Sequence, residues 1–290
     1  MINNPFGPLF VFVSILLSFA SSHCFSQDKD FSKVEIETIQ VDTQIFMLKG
    51  DGGNIGVFTG DDGVVLVDNQ YAPLSEKIKS AVASLSKKPI EFVINTHAHG
   101  DHVGGNAHFS AAGAYIVSHE NTRKHIVHAD PTKEGFQPKL TFSDSIQFHY
   151  NNEMVTVFYV SHGHTDGDAI VHFKKANVFH MGDTFVRYGF PYIDRDRGGN
   201  TVGLIRVLDA VIAMADDNTK FIPGHGELAS KADVIAFRDM LNTVYIRVKK
   251  GMDAGKSLAQ ILQAKPLEGF EKRGVKEEDF ITVLYESIQQ

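Results

Sequence analysis

Asn95-Thr96-His97-Ala98-His99-Gly100-Asp101-His102 puts three imidazoles and a carboxylate within six positions. Just before it, Ile90–Asn95 is an apolar run without alternation, the pattern of a strand buried on both faces. In an extended segment residues i and i+2 point the same way, so His97 and His99 can reach one cation together. Gly100 permits a sharp change of direction, which aims Asp101 and His102 at a neighbouring point. Imidazole and carboxylate are the donors that suit zinc, and also iron or manganese. A lone histidine in a polar loop ordinarily bonds to backbone. A cluster this dense gains most from a shared cation.

Outward from that stretch, three further donors each sit at the end of a β-type run and beside glycine. His164 lies in Ser161-His162-Gly163-His164-Thr165-Asp166-Gly167-Asp168, Asp183 in His180-Met181-Gly182-Asp183-Thr184, and His225 in Ile222-Pro223-Gly224-His225-Gly226. Any one alone is weak evidence. Of the fourteen histidines, His108, His119, His125, His128, His149, His172 and His180 share no motif and read as surface or structural residues.

The set His-x-His-x-Asp-His, Gly-His-Thr, Gly-Asp-Thr and Pro-Gly-His-Gly, in that order, resembles the metallo-β-lactamase-fold hydrolases over about residues 34–250. The resemblance implies an α-β sandwich of four layers, αβ/βα, with a two-metal site at one edge. Carried over position by position, it implies that His97, His99 and His164 bind one metal. Asp101, His102 and His225 then bind a second, and Asp183 bridges them. Asp68, closing Val64-Val65-Leu66-Val67, matches an aspartate that orients ligands from beneath the metal loop. His162 falls outside the Gly-His-Thr match and reads as a non-ligand. Asp166 and Asp168 are candidates to brace His164 by hydrogen bonds.

The implied cofactor is two Zn(2+) per chain, with Fe or Mn as alternatives. The implied chemistry is hydrolysis by a metal-bridging hydroxide, with Asp101 positioning it and moving a proton. An aspartate at position 183, where many zinc β-lactamases carry cysteine, resembles glyoxalase II, the lactonases and the phosphodiesterase branches. β-Lactam amides and lactone, ester or thioester substrates therefore stand side by side. An iron-dependent oxidoreductase of the persulfide dioxygenase type and a non-catalytic metal-binding module are the readings from other classes. Position alone makes Arg187 and Asn200 candidates to anchor an anionic or carbonyl group of a small-molecule substrate.

The rest of the chain supports two sheets packed together with helices outside. Val34–Gln40, Ile45–Leu48, Ile55–Thr59 and Val64–Val67 read as strands, with the glycine- and aspartate-rich stretches 50–53 and 60–63 as hairpin turns. No Gly-Lys-Ser/Thr follows those glycines, which argues against a phosphate loop. A helix follows on Leu74, Ile78, Val82 and Leu85. Further strands are expected at Tyr115–Val117, Leu140–Tyr150, Val155–Val160, Ala169–Phe173, Val178–Met181 and Phe221–Ile222. Helices are expected from Gly104, over Asn121–His128, Thr201–Ala215 and Lys231–Lys250, and twice in residues 251–290. There the stripe Phe280, Val283, Leu284 and Ile288 reads as packing on the domain.

Composition bounds the class. With 290 residues, 43% hydrophobic and 22% charged, the chain is too apolar for disorder to be its main state. Its net charge of -7 would repel a polyanion, so no nucleic-acid partner is expected. Leu9 to Ala20 is an apolar run of twelve, broken only by Ser14 and Ser18 and too short to span a bilayer. With Ala20, Ser21, Ser22 and Ser26 behind it, residues 1–26 read as a signal peptide cleaved after Ser22 or Ser26, although Met1–Pro8 has no Lys or Arg. Residues 27–33 are then a linker, and the mature protein is periplasmic or secreted with no membrane anchor. Ser22-His23 before Cys24 fits a lipoprotein cleavage box poorly. Cleavage after Ser26 would remove Cys24, the only cysteine, so any metal must be held by histidine and carboxylate.

Overall fold

The computed structural model describes residues 29–132, 134–271 and 273–290. The segment read as a signal peptide, with Cys24, lies outside them. Strands β1 (Glu37–Gln40), β2 (Ile45–Lys49), β3 (Ile55–Thr59), β4 (Val64–Val67), β5 (Ile90–Asn95), β6 (Tyr115–His119) and β7 (Leu140–Phe142) form a seven-stranded sheet in sequence order. Strands β8 (Ser145–Tyr150), β9 (Glu153–Tyr159), β10 (Ala169–Phe173), β11 (Val178–His180), β12 (Lys220–Ile222) and β13 (Ala229–Ser230) form the second. The run expected as one strand over Leu140–Tyr150 is two. Ser143 and Asp144 break it, and the chain changes sheets there, since polar turn residues bond the backbone locally.

Period-two alternation sets the layers. On β4, Val65 and Val67 face the second sheet and meet Val155, Val157, Val171 and Phe173, while Val64 and Leu66 face the opposite way. That outer face is covered by helices α1 (Ser75–Leu85) and α3 (Asn106–Ala111), through Ile78, Val82 and Phe109. Helix α2 (Gly100–Val103) carries part of the histidine stretch, and α4 (Glu120–Ala129) follows β6. On the other side α5 (Thr201–Met214), α6 (Lys231–Asp253), α7 (Leu258–Gln263) and α8 (Glu277–Gln289) cover the second sheet. Leu204, Leu208, Leu241, Val244, Phe280 and Leu284 join Ile170, Phe179 and Phe221 in one core. The result is a four-layer αβ/βα sandwich. Burying one Leu, Ile or Phe side chain contributes about 1.5–3 kcal/mol, and three such cores lie in this stack. Among the described residues no helix is long and apolar enough to cross a membrane.

Strand direction gathers the chemistry at one edge. β4 and β5 are parallel, and so are β11 and β12, so their C-terminal ends open on the same side of each sheet. β10 runs antiparallel to β11, so the loop entering β10 arrives at that same side. Asp68, the histidine stretch, Asp183 and His225 follow β4, β5, β11 and β12, and His164 precedes β10.

Candidate metal centre

Two groups of donor atoms lie at this edge. His97, His99, His164 and Asp183 bring their donor atoms within 4.8 Å of one another, and so do Asp101, His102 and His225. In the first group His97 Nε2 is 3.1 Å from His99 Nδ1, which is 2.9 Å from His164 Nε2. The far nitrogen of each ring is committed to an acceptor. His164 Nδ1 donates to the Tyr192 carbonyl at 2.7 Å and His99 Nε2 to Asp194 Oδ2 at 2.7 Å. His97 Nδ1 donates to Thr96 Oγ1 at 3.0 Å, whose own proton goes to Asp68 Oδ2. Three lone pairs therefore converge on one point, an arrangement that repels itself unless a cation sits there.

Burial works in the same direction. It pushes the His164 pKa down to about 4, and it holds His97 well below the ordinary imidazole value, helped by the charge of His102. Neutral imidazole is the form that donates to a metal.

The second group is built on charge. His102 is fully buried and donates Nδ1 to Asp68 Oδ2 at 2.8 Å. Burial opposes its protonation, but Asp183 and Asp68 outweigh it and hold its pKa well above the usual value. His225 Nε2 lies 3.3 Å from Asp101 Oδ2 and 3.5 Å from Asp183 Oδ2. Against burial, those two carboxylates raise its pKa to about 9. Asp101 and Asp183 are both held below the carboxylate range, against burial: Asp101 by hydrogen bonding from His225, Asp183 by the charge of His102.

Asp183 stands between the groups. Its Oδ2 is 3.8 Å from His164 Nε2 and 3.5 Å from His225 Nε2. Its buried Oδ1 lies 3.2 Å from His102 Nε2 without making a hydrogen bond. An orphaned buried carboxylate oxygen among imidazoles is what a bound cation would satisfy. Gly224 makes the approach possible, because a Cβ there would sit 2.0 Å from Asp183 Oδ1.

The metallo-beta-lactamase superfamily's sequence profile matches residues 48–225, more than half of the chain. The chain belongs to this superfamily. It is 24% identical over 213 residues to the metallo-beta-lactamase type 2 of Bacillus cereus, covering 71% of this chain and 80% of that enzyme. It is 26% identical over 127 residues to the alpha subunit of 2,4-dinitroanisole O-demethylase of Nocardioides sp. (strain JS1661), covering 43% of this chain but only 39% of that subunit. The solved stereoselective inverting sec-alkylsulfatase Pisa1 from Pseudomonas sp. superposes with a TM-score of 0.69 at 15% identity, over 87% of this chain and 50% of that one.

All seven expected donors of this superfamily member meet at the edge, and Asp68 lies beneath them with φ 64, a left-handed backbone that Asp tolerates better than most residues. Asp168 braces the His164 segment through its backbone and not its ring: the carboxylate accepts from the His164 and Thr165 backbone N–H groups and from Thr165 Oγ1, and burial raises its pKa to about 7. Three other candidates are corrected. Asn200 is a helix cap: its Oδ1 accepts from Gly203 N–H, because α5 begins at the next residue and leaves that donor open. Arg187 gives its guanidinium to the Leu228 carbonyl and Asp233, so its charge is already engaged. Asp166 is likewise taken up by His125. His162 is exposed, bonded to the Gly198 carbonyl and outside both donor groups.

Sequence reading missed the residues that orient the donors from far along the chain. Asp194 and the Tyr192 carbonyl hold His99 and His164. Asn54 crosses from the first sheet to bond the Pro223 and Gly226 carbonyls on either side of His225. Asn69, Asn95 and Asn106 form a buried amide network behind the histidine stretch. Asn95 opens the histidine stretch itself, and no motif marks the others.

Proposed function

We propose that the chain is a metal-dependent hydrolase that holds two zinc ions and cleaves a carbonyl bond, in a β-lactam amide or a lactone, ester or thioester. The observation that carries this reading is Asp183, a buried carboxylate set between two adjoining groups of donors with one oxygen that makes no hydrogen bond. His97, His99 and His164 would hold one ion, Asp101, His102 and His225 the other, and Asp183 would touch both. Two such ions supply an acidified water as nucleophile and Lewis acidity for the carbonyl oxygen. Asp194, Thr96, Asp68 and the Tyr192 carbonyl keep each imidazole in the tautomer that presents a lone pair.

Asp101 is the one carboxylate of the set with a fifth of its side chain open, so it is placed to face substrate. Held ionised beside His225, it positions the attacking water, takes a proton on Oδ2 and passes it to the leaving group. The likeness to a β-lactamase over four-fifths of that enzyme's length supports an amide substrate, and the aspartate at 183 keeps esters and thioesters beside it.

The test is metal analysis of the purified chain joined to turnover of nitrocefin, a lactone and a thioester. About two zinc per chain with turnover on any of the three is expected. One iron with oxygen uptake, or full metal occupancy without turnover on a wide panel, overturns the proposal. We also propose export to the periplasm or medium, on the strength of the apolar run Leu9 to Ala20. N-terminal sequencing of the exported chain should begin at His23 or Gln27, and retention of Met1 in a cytosolic chain overturns it.

A further inference from the structure

We infer that the C-terminal segment Arg273–Gln290 is a positioning brace for the loop 188–200, which in turn aims His99 and His164; as far as it concerns metal, the inference rests on the proposed two-ion site. The loop has almost no regular structure of its own beyond one 3-10 turn at Arg195–Arg197. Yet it supplies the Tyr192 carbonyl to His164 Nδ1 and Asp194 Oδ2 to His99 Nε2, each at 2.7 Å. Asp194 N–H also donates to the His164 carbonyl at 2.9 Å. Two of the three imidazoles in the first donor group therefore take their orientation from this one loop.

Both ends of the loop are fastened to the last residues of the chain. At its start, Phe190 N–H donates to the Arg273 carbonyl at 2.9 Å and the Phe190 carbonyl accepts from Val275 N–H at 3.3 Å, a short parallel bridge across Gly274. The Phe190 ring packs on Phe280 of α8, with centroids 4.9 Å apart. At its end, Thr201 N–H donates to Ser287 Oγ at 3.2 Å and Asn200 Nδ2 to Gln290 Oε1 at 3.0 Å. Ser287 is buried and passes its own proton to the Val283 carbonyl, so this tie runs into the body of α8.

The stretch that matches the superfamily ends at His225, so Arg273–Gln290 lies wholly outside it. A site whose ligands must be held within about 0.5 Å needs rigid support behind them, and here that support comes from a segment outside the matched stretch of sequence. Gly274 is the pressure point. Its φ is +86, and a Cβ there would stand 2.2 Å from the Phe190 carbonyl oxygen. Even an alanine must push Phe190 away, and the loop with it.

The test uses the full chain stripped of metal, with Gly274→Ala, the milder Ser287→Ala, and Gly255→Ala as control. Gly255 also has a positive φ, +71, but its Cβ would meet nothing within 4 Å. Three readouts are taken: amide exchange over residues 188–200, the His99 and His164 ring tautomers by long-range proton–nitrogen NMR, and stepwise zinc titration. In wild type His164 should show one tautomer, protonated at Nδ1. Gly274→Ala should speed exchange of the loop, mix the His164 tautomers and weaken the tighter zinc step about 10–100-fold. Ser287→Ala should do the same to a smaller extent, and Gly255→Ala should lower thermal stability without touching tautomer or zinc.

If Gly274→Ala and Ser287→Ala speed loop exchange while tautomers and zinc affinity stay at wild-type values, the brace does not position the ligands and the inference falls. Should Gly274→Ala fail to fold, Ser287→Ala decides alone by the same readouts. A wild-type chain that shows the single His164 tautomer, mixed by Ser287→Ala, yet takes up no zinc would sink the proposed function and leave the brace standing.

Discussion

Around His97, His99 and His164 the rings point lone pairs at one another and burial favours the neutral form of His97 and His164, whereas around Asp101 and Asp183 the rings of His102 and His225 are protonated and paired with carboxylates. The residue types are nearly the same, and the surroundings decide the difference. The first group faces other imidazoles, a hydroxyl, a carbonyl, the outer carboxylate Asp194 and, at its edge, Asp183, whose charge does not overcome the burial of His97 and His164. The second sits among Asp68, Asp101 and Asp183, whose charge outweighs the burial of His102. Without a cation the second group satisfies itself with protons and the first cannot. The first group should therefore take up an ion with little proton release, and the second only by giving protons up.

The sharpest way to break this contrast is His97→Ala. It should abolish tight binding at the first group and activity with it, read by metal analysis and turnover; a variant that keeps two ions and full rate would sink the ligand assignment. Next in size, Asp183→Asn should leave a chain that binds about one ion tightly, because the oxygen between the groups loses its charge. Equilibrium dialysis decides it.

Proton release gives a finer test. His225 titrates at about 9, so below that pH a cation entering the second group must displace its proton. Affinity for the second ion should fall about tenfold for each pH unit below that value and each proton displaced, while the first changes much less over the same range. Calorimetric titration in buffers of different ionisation heat counts the protons. Metal-free stability carries the matching signs. The raised His225 pKa stabilises the fold fully below about 6.5, and that contribution is lost as pH rises through about 9. The lowered His164 pKa means stability is lost as pH falls from about 6.5 through about 4.

Smaller still, Asp194→Asn should weaken the first ion about 10–100-fold and leave the second nearly unchanged. At the bottom of the scale, Asn200→Ala should lose about 1 kcal/mol of stability by uncapping α5 and leave KM where it was. A raised KM would return Asn200 to the substrate site.

Legibility in the sequence cuts across the two groups. Four of the seven donors lie within six consecutive positions, where strand alternation and one glycine already fix their directions. His164, Asp183 and His225 stand alone in sequence and were legible only through short glycine-flanked motifs and a family likeness. Within the fold, the Leu140–Tyr150 run hid a change of sheet, because its two halves carry the same strand-forming residues and only Ser143-Asp144 separates them. Chain position alone made Arg187 and Asn200 candidates for substrate, but position does not say where a side chain points. One is bonded to Leu228 and Asp233, and the other caps a helix.

Residue chemistry and local spacing by themselves determined the alternation that layers the sheets, the absence of any thiol ligand after position 24, and the four clustered donors from His97 to His102. Partnership across long stretches of chain was left to the folded state. His99 meets Asp194 across 95 residues, His102 meets His225 across 123, and Asn54 meets Pro223 across 169. Each such contact depends on which strand ends share an edge, a property of parallel and antiparallel pairing that no window of sequence contains. That pairing set the proton inventory of the site, and with it which half is neutral and which is charged.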